Sequence, residues 1–226
     1  MGDFADVAAR LQQSEALQNM PAPLQTLLFM GALTLLPAAL VTMTSFTRIV
    51  IVLSFVRRAV TSQDIPPNLV ITGLALFLTM FTMGPTLEEV NAKAITPYLD
   101  KKMDVAEAIK TGIVPLQSFM LRQTRRQDLA LFIHLAGLKS VQEPADTPFR
   151  VLVPAFVISE LKTAFIMGFC IYLPFLLVDL VVSSVLTSMG MIMMPPVLIS
   201  APFKVLLFVL ADGWHLVARA LTSSFA

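Results

Sequence analysis

Six charged residues stand inside otherwise apolar stretches of this sequence: Arg48, Glu160, Lys162, Asp179, Lys204 and Asp212. A charge at mid-helix in a membrane costs ~2.5–3.5 kcal/mol on insertion scales, so six uncompensated charges would approach about 15–20 kcal/mol. Arg48, Asp179 and Lys204 could each lie near a helix end and snorkel to water. Six at once demand partners. Glu160 and Lys162 are two residues apart in Ser159-Glu160-Leu161-Lys162-Thr163, so on a helix they point to nearly opposite sides and cannot pair with each other. Each needs a partner elsewhere, either across a subunit interface in an oligomer or along a polar path through the structure.

Near the end of the sequence, Lys204, Phe208, Asp212, His215 and Arg219 recur at steps of three and four. They predict a polar stripe, carrying Lys204, Asp212 and His215, buried against protein or water on an apolar helix. His215 is expected to be a packing or interface histidine rather than a proton relay. Between the last two apolar segments lies Met189-Gly190-Met191-Ile192-Met193-Met194-Pro195-Pro196. Methionine is unbranched and polarizable, so a ring of such loops could deform around a moving chain and close again, gating by exclusion of water. Filling gaps in a core, or touching lipid, would also suit these side chains.

No nucleophile-elbow, zinc-protease, C-x-x-C or phosphate-loop pattern occurs. One cysteine, Cys170, with only His134 and His215 beside it in the composition, offers neither an internal disulfide nor a metal-ligand cluster. No catalytic residue, cofactor or metal is therefore expected, and the protein is not expected to be an enzyme. A formal net charge of +1 gives no reason to expect nucleic acid or a polybasic lipid attachment.

The elements that must hold these residues are membrane-class. Hydrophobic residues make up 56% of the 226 positions and the mean hydropathy is +0.78, against roughly 45–50% apolar in soluble domains. Residues 1–23 form a polar, mixed segment that does not read as a cleavable signal, so insertion is expected to rely on later segments. A first apolar helical region covers 24–85. Its run from Leu24 to Val60 would span roughly 55 Å as one helix, nearly twice a hydrocarbon core of ~30 Å. It must kink at Pro37, fold into a hairpin, or lie partly outside lipid. After the turn at Asp64-Ile65-Pro66-Pro67, Pro66 to Pro85 frames about one bilayer crossing.

Residues 86–150 carry nine Lys/Arg and eight Asp/Glu, which marks a water-facing domain. Three short helices are predicted there: one from Asp104 and Glu107 to Gly112, one opened by Pro115, and one capped by Asp128 and ended by Gly137. Leu116, Phe119, Met120 and Gln123 form the apolar face of the second, opposite Arg122, Arg125 and Arg126. Leu129, Phe132, Ile133 and Ala136 form that of the third. A second apolar helical region covers 151–226, with break points at Pro154 and Pro174 and a last helix from about Pro196 to Leu221. The fold class is thus all-α, with long kinked apolar helices in hairpin-like arrangement. Arg57 and Arg58 outweigh Asp64 in the short 57–65 loop, which should be cytoplasmic, leaving 86–150 extracytoplasmic.

Several of these stretches together resemble one family. They are Met43-Thr44-Ser45-Phe46-Thr47-Arg48-Ile49, Gly73 to Thr79, Phe119 to Arg125, Asp128-Leu129-Ala130-Leu131-Phe132, Val153-Pro154-Ala155-Phe156 and Ile158 to Phe165. The methionine segment and Pro202-Phe203-Lys204 through Asp212-Gly213-Trp214 complete the match, from about Leu24 to Phe225. The chain resembles the FliP family of flagellar type III export-gate subunits, which includes the virulence secretion counterpart. Two features depart from that pattern: many members carry a cleavable signal peptide, and Ile192 interrupts what is often an unbroken methionine run.

The resemblance implies a core subunit of a helical pore complex, a homo-pentamer assembled with FliQ and FliR in the bacterial inner membrane at the flagellar basal body. Unfolded flagellar subunits pass through it, and the complex is lifted largely out of the lipid plane. By the same resemblance Met189, Met191, Met193 and Met194 belong to a gate, and Phe119, Phe132 and Glu160 to subunit contacts. Lys162 joins the contacts on the ground that it faces away from Glu160. Two other classes remain open at this stage. An ion or small-molecule transporter would suit the buried charges, though no inverted repeat is evident, and a structural scaffold would need no pore.

Overall fold

The structure, a computed structural model, describes residues 41–60, 65–138, 147–191 and 194–225, with isolated positions between 21 and 34. Pro37, Asp64, Pro144 and Met193 lie outside the described residues, as does the segment 1–20. Every regular element among the described residues is helical, in agreement with the all-α expectation. The described residues form two compact units, those up to 44 with those of 83–156, and those of 45–82 with those from 157 onward. This division follows packing rather than composition, so the 24–85 region is shared between the two units.

In the second unit, α1 (Phe46–Val60) is rich in β-branched residues whose helix propensity is modest, so packing must hold it. Ile49, Val52, Leu53, Val56 and Ala59 recur at helical spacing and are buried together. Arg57 and Arg58 occupy its last turn, where the helix dipole favours cations. Helix α2 (Asn68–Val90) begins after Pro66-Pro67 and adds Ile71 and Ala75 to the same core.

Helix α6 (Phe149–Ser188) is 40 residues long, α7 spans Pro196–Leu210 and α8 spans Gly213–Ser223. They contribute Ala164 and Phe175, Phe208, and Val217 and Leu221 to that core. Phe175, Phe208 and Trp214 stack in series, with centroids 6.3 and 5.3 Å apart.

In the first unit, α2 passes into a π-helical turn (Asn91–Ile95) and the short α3 (Thr96–Leu99), followed by α4 (Val105–Gln123) and α5 (Arg126–Leu135). Phe119 and Met120 are buried on α4, and Phe119 meets Phe156 edge-on at 6.0 Å. Gln117 reaches the carbonyl of Thr147 at 3.0 Å. The predicted faces of α4 and α5 hold in part: Leu116 and Gln123, with Leu129, Phe132 and Ile133, are half-buried and Arg122 and Arg126 are exposed, but Ala136 is exposed and Arg125 is half-buried.

Four sequence expectations are corrected. Pro85 does not end a helix but lies inside α2, which with its π-helical and short continuations runs unbroken from Asn68 to Leu99. Gly112 and Pro115 do not separate two helices; both lie inside α4. A Cβ at Gly112 would stand 3.2 Å from that of Ala94, so the glycine permits close approach of α4 to the π turn. Pro154 and Pro174 do not break α6. In each case the helix continues without the single backbone bond that proline removes. The predicted last helix is two, α7 and α8, bent by 63° where Asp212 adopts the left-handed region at φ 50°.

By length and composition, Asn68–Leu99 and Phe149–Ser188 could each cross a membrane, and the bent α7–α8 pair could be a third span. The described helices leave large apolar side chains open, Phe165, Phe169, Leu177 and Leu180 among them, which suits lipid or another protein surface rather than water.

Gly168 on α6 lies under the ring of Phe55, and an added Cβ would stand 2.5 Å from Phe55 Cδ2. Gly168→Ala is therefore expected to cost about 1–3 kcal/mol by overpacking. In a Phe55→Leu background the same substitution should cost much less. Unfolding titrations in mixed micelles on the four variants check this, and equal costs in both backgrounds would contradict the contact.

Candidate functional site

Arg48 lies in the first turn of α1 and Glu160 a third of the way along α6, 112 residues apart in sequence. Both are buried, Arg48 to 2% exposure and Glu160 completely. The guanidinium engages the carboxylate through two nitrogens: Arg48 Nε donates to Oε2 at 2.8 Å and Nη2 donates to Oε1. Its remaining edge donates through Nη1 to the backbone oxygen of Ser224 at 2.9 Å and the hydroxyl of Ser224 at 3.0 Å. The ring of Phe225 covers the guanidinium plane at 3.9 Å. Planar delocalised charge, a forked donor set and weak hydration make arginine the cation suited to this place.

A second pair joins α6 to α7. Lys204 Nζ donates to Asp179 Oδ2 at 2.6 Å and the Ser200 hydroxyl donates to Oδ1 at 2.5 Å. Lys204 is almost fully covered, whereas the Asp179 side chain stays 26% exposed. Ser200 and Lys204 are four apart on α7, so one helix face presents both donors to the same carboxylate. A Ser45–Thr82 hydroxyl pair at 2.6 Å adds a third polar contact between apolar helices, α2 and the turn before α1.

The methionine segment is the tip of the α6–α7 hairpin. Helix α6 ends in a Schellman turn, with Gly190 N–H donating to Thr187 O at 3.0 Å and Met191 N–H to Leu186 O at 3.0 Å. Gly190 takes φ 78°, which any side chain would disfavour. Pro195 then precedes α7, and Pro196 occupies its first turn. Met189 is 69% exposed, and Met191 and Met194 are exposed to 40% and 42%. None of the three is buried in a core.

The structure thus gathers some predicted residues and disperses others. Glu160 has a partner in its own chain, so its buried charge does not require the intersubunit pair that the sequence suggested. Phe119 is likewise buried in its own unit and Phe132 is half-buried, while Lys162 lies on the exposed side of α6. The single buried stripe of Lys204, Asp212 and His215 is not formed. Lys204 is buried, but the bend at Asp212 breaks the helical register, and both Asp212 and His215 are exposed.

Sequence reasoning missed both pairings. The Asp179–Lys204 pair had a readable signal, because the two residues lie at nearly the same sequence distance on either side of the 189–195 turn that joins their helices. The Arg48–Glu160 pair had none. Replacing Arg48 by Met would leave Glu160 charged and buried without its fork, at a cost of about 3–5 kcal/mol. Arg48→Lys, which keeps the charge and loses the fork, should fall between. Unfolding midpoints of the two variants in mixed micelles check the order, and equal stability of Arg48→Met and the parent protein would contradict it.

Comparison with known proteins places this architecture. Residues 29–221 match the FliP family model. The chain is 51% identical over 208 residues to the flagellar biosynthetic protein FliP of Bacillus subtilis (strain 168), covering 92% of this chain and 94% of that protein. It is 52% identical over 208 residues to that of Pectobacterium carotovorum subsp. carotovorum, with 92% and 81% covered. To that of Aquifex aeolicus (strain VF5) it is 47% identical over 209 residues, with 92% and 87% covered. With the match running through both charged pairs and the methionine hairpin tip, the chain belongs to the FliP family.

Proposed function

We propose that this chain is a core subunit of the flagellar type III protein export gate, and that several copies surround a pore for unfolded flagellar subunits. Its relatives are named for flagellar biosynthesis. The observation that carries the pore reading is the α6–α7 tip, where Met189, Met191 and Met194 are exposed together on a turn fixed at both ends by Gly190 and Pro196. A hairpin that exposes flexible, polarizable side chains at its tip suits a deformable seal, in which apolar side chains close by excluding water. Met193 belongs to the same seal by sequence.

The pore is proposed as a homo-pentamer joined by FliQ and FliR in the bacterial inner membrane at the flagellar basal body. Residues 86–150 would lie outside the cytoplasm and the 57–65 loop within it, as the placement of Arg57 and Arg58 favours. Exposed apolar side chains on α6 and α7 would be covered by neighbouring subunits or lipid. Lys162, Phe132 and the turn at Asp212 are left accessible for such contacts.

Replacing Met189, Met193 and Met194 together with alanine should leave assembly intact and make membranes leak ions, read as conductance of the assembled complex in planar bilayers. Unchanged conductance would remove the seal. Deletion of the chain should abolish motility and secretion of flagellar subunits together, and secretion that persists would remove the export reading.

A further inference from the structure

The methionine tip carries donor atoms that a seal does not use. Met189, Met191 and Met194 are all exposed, and each ends in a thioether sulfur with free lone pairs. At no more than ~3.6 Å per residue, chain connectivity keeps the Cα atoms of Met189 and Met191 within about 7 Å and those of Met191 and Met194 within about 11 Å. The Gly190 turn stands between the first two, closed by its bonds to Thr187 and Leu186. With three rotatable bonds in each side chain, the three sulfurs can be turned onto one point. Competing donors are scarce there. No Asp, Glu, His, Cys, Lys or Arg occurs between Asp179 and Lys204. The nearest hydroxyls, Thr187 and Ser188, are turned back onto the carbonyls of Ser183 and Ser184 at 2.8 Å.

We propose that the α6–α7 tip binds one soft monovalent cation, Cu(I), through the thioethers of Met189, Met191 and Met194. The donor set selects the metal. Thioethers are soft and favour Cu(I), whereas Mg²⁺ and Ca²⁺ require oxygen ligands and Zn²⁺ is held by thiolate, imidazole or carboxylate. Three neutral sulfurs also offset none of a divalent charge, which leaves a monovalent ion as the one they can hold in an apolar turn. A thioether has no proton to lose, so binding releases none and does not depend on pH, unlike binding at histidine or cysteine. The inference goes beyond the seal reading and stands on the single chain, with or without a pore.

The test uses the full chain in mixed micelles with Cys170→Ser, which removes its one thiol. Cu(I) is titrated under ascorbate and without oxygen against the chromophoric chelator bathocuproine disulfonate, and Ag(I) serves as a second soft probe with no redox step. One Cu(I) per chain is expected, and X-ray absorption should show sulfur as its only nearest neighbour. Replacing Met189, Met191 and Met194 together with Leu keeps the apolar volume and should weaken binding by at least about 100-fold. Met191→Leu alone should cost about tenfold, and it serves if the triple variant fails to fold. Met80→Leu, at an exposed methionine of α2, should leave binding unchanged. Affinity should be flat from about pH 7 to 5, where a site built on His134 or His215 would lose about tenfold or more. Parent affinity in both Leu variants, nitrogen or oxygen neighbours, Zn²⁺ held as tightly as Cu(I), or affinity that falls with pH would each overturn the proposal. The readout needs neither pore nor export. Loss of Cu(I) binding with the ion seal intact removes this inference alone, and unchanged conductance of the methionine variants with Cu(I) binding established removes the seal alone.

Discussion

The Arg48–Glu160 pair sets the terms for the second unit. An apolar helix that carries an arginine can be delivered to a membrane only if that charge is later neutralised, and here the neutralising carboxylate comes from a helix more than a hundred residues downstream. The turn after α8, still further along, then closes over the guanidinium with Ser224 and Phe225. Three distant parts of the sequence are tied at one point, and the buried stripe of α1 packs around it. A buried ion pair is a weak source of net stability compared with a hydrophobic replacement, but half of one is strongly destabilising. Its value therefore lies in register, since the unit closes only when the right segments meet.

The α6–α7 hairpin repeats that logic at smaller sequence distance. Asp179 and Lys204 fix how the two helices face each other, and the Gly190 turn and Pro196 fix where the chain reverses. These constraints leave Met189, Met191 and Met194 exposed at the tip. The unequal cover of Asp179 and Lys204 gives the hairpin one satisfied charge and one with capacity to spare.

Much of this was legible in the residues. The all-α class, the amphipathic faces of α4 and α5 and the end of α5 at Gly137 follow from periodicity and from the left-handed preference of glycine. Proline and glycine punctuation was misleading inside the helices. Pro85, Pro115 and Pro174 each remove one backbone bond, and packing or an apolar surround keeps the remaining ladder intact. The bend at Asp212 had no sequence warning beyond its neighbour Gly213, because a left-handed aspartate is uncommon and local spacing suggested one continuous stripe. Partner choice among the buried charges was the least legible feature, since pairing over 112 residues depends on how the whole unit folds.

If Arg48 and Glu160 hold the unit as a pair rather than as two separate polar residues, their effects must be coupled. The direct measurement is a double-mutant cycle with Arg48→Met and Glu160→Met, read as unfolding free energy of the reconstituted chain. The paired clip predicts that the double variant is more stable than either single variant, so that the coupling energy exceeds the loss of about 3–5 kcal/mol expected for Arg48→Met alone. Strict additivity of the two single losses would contradict it.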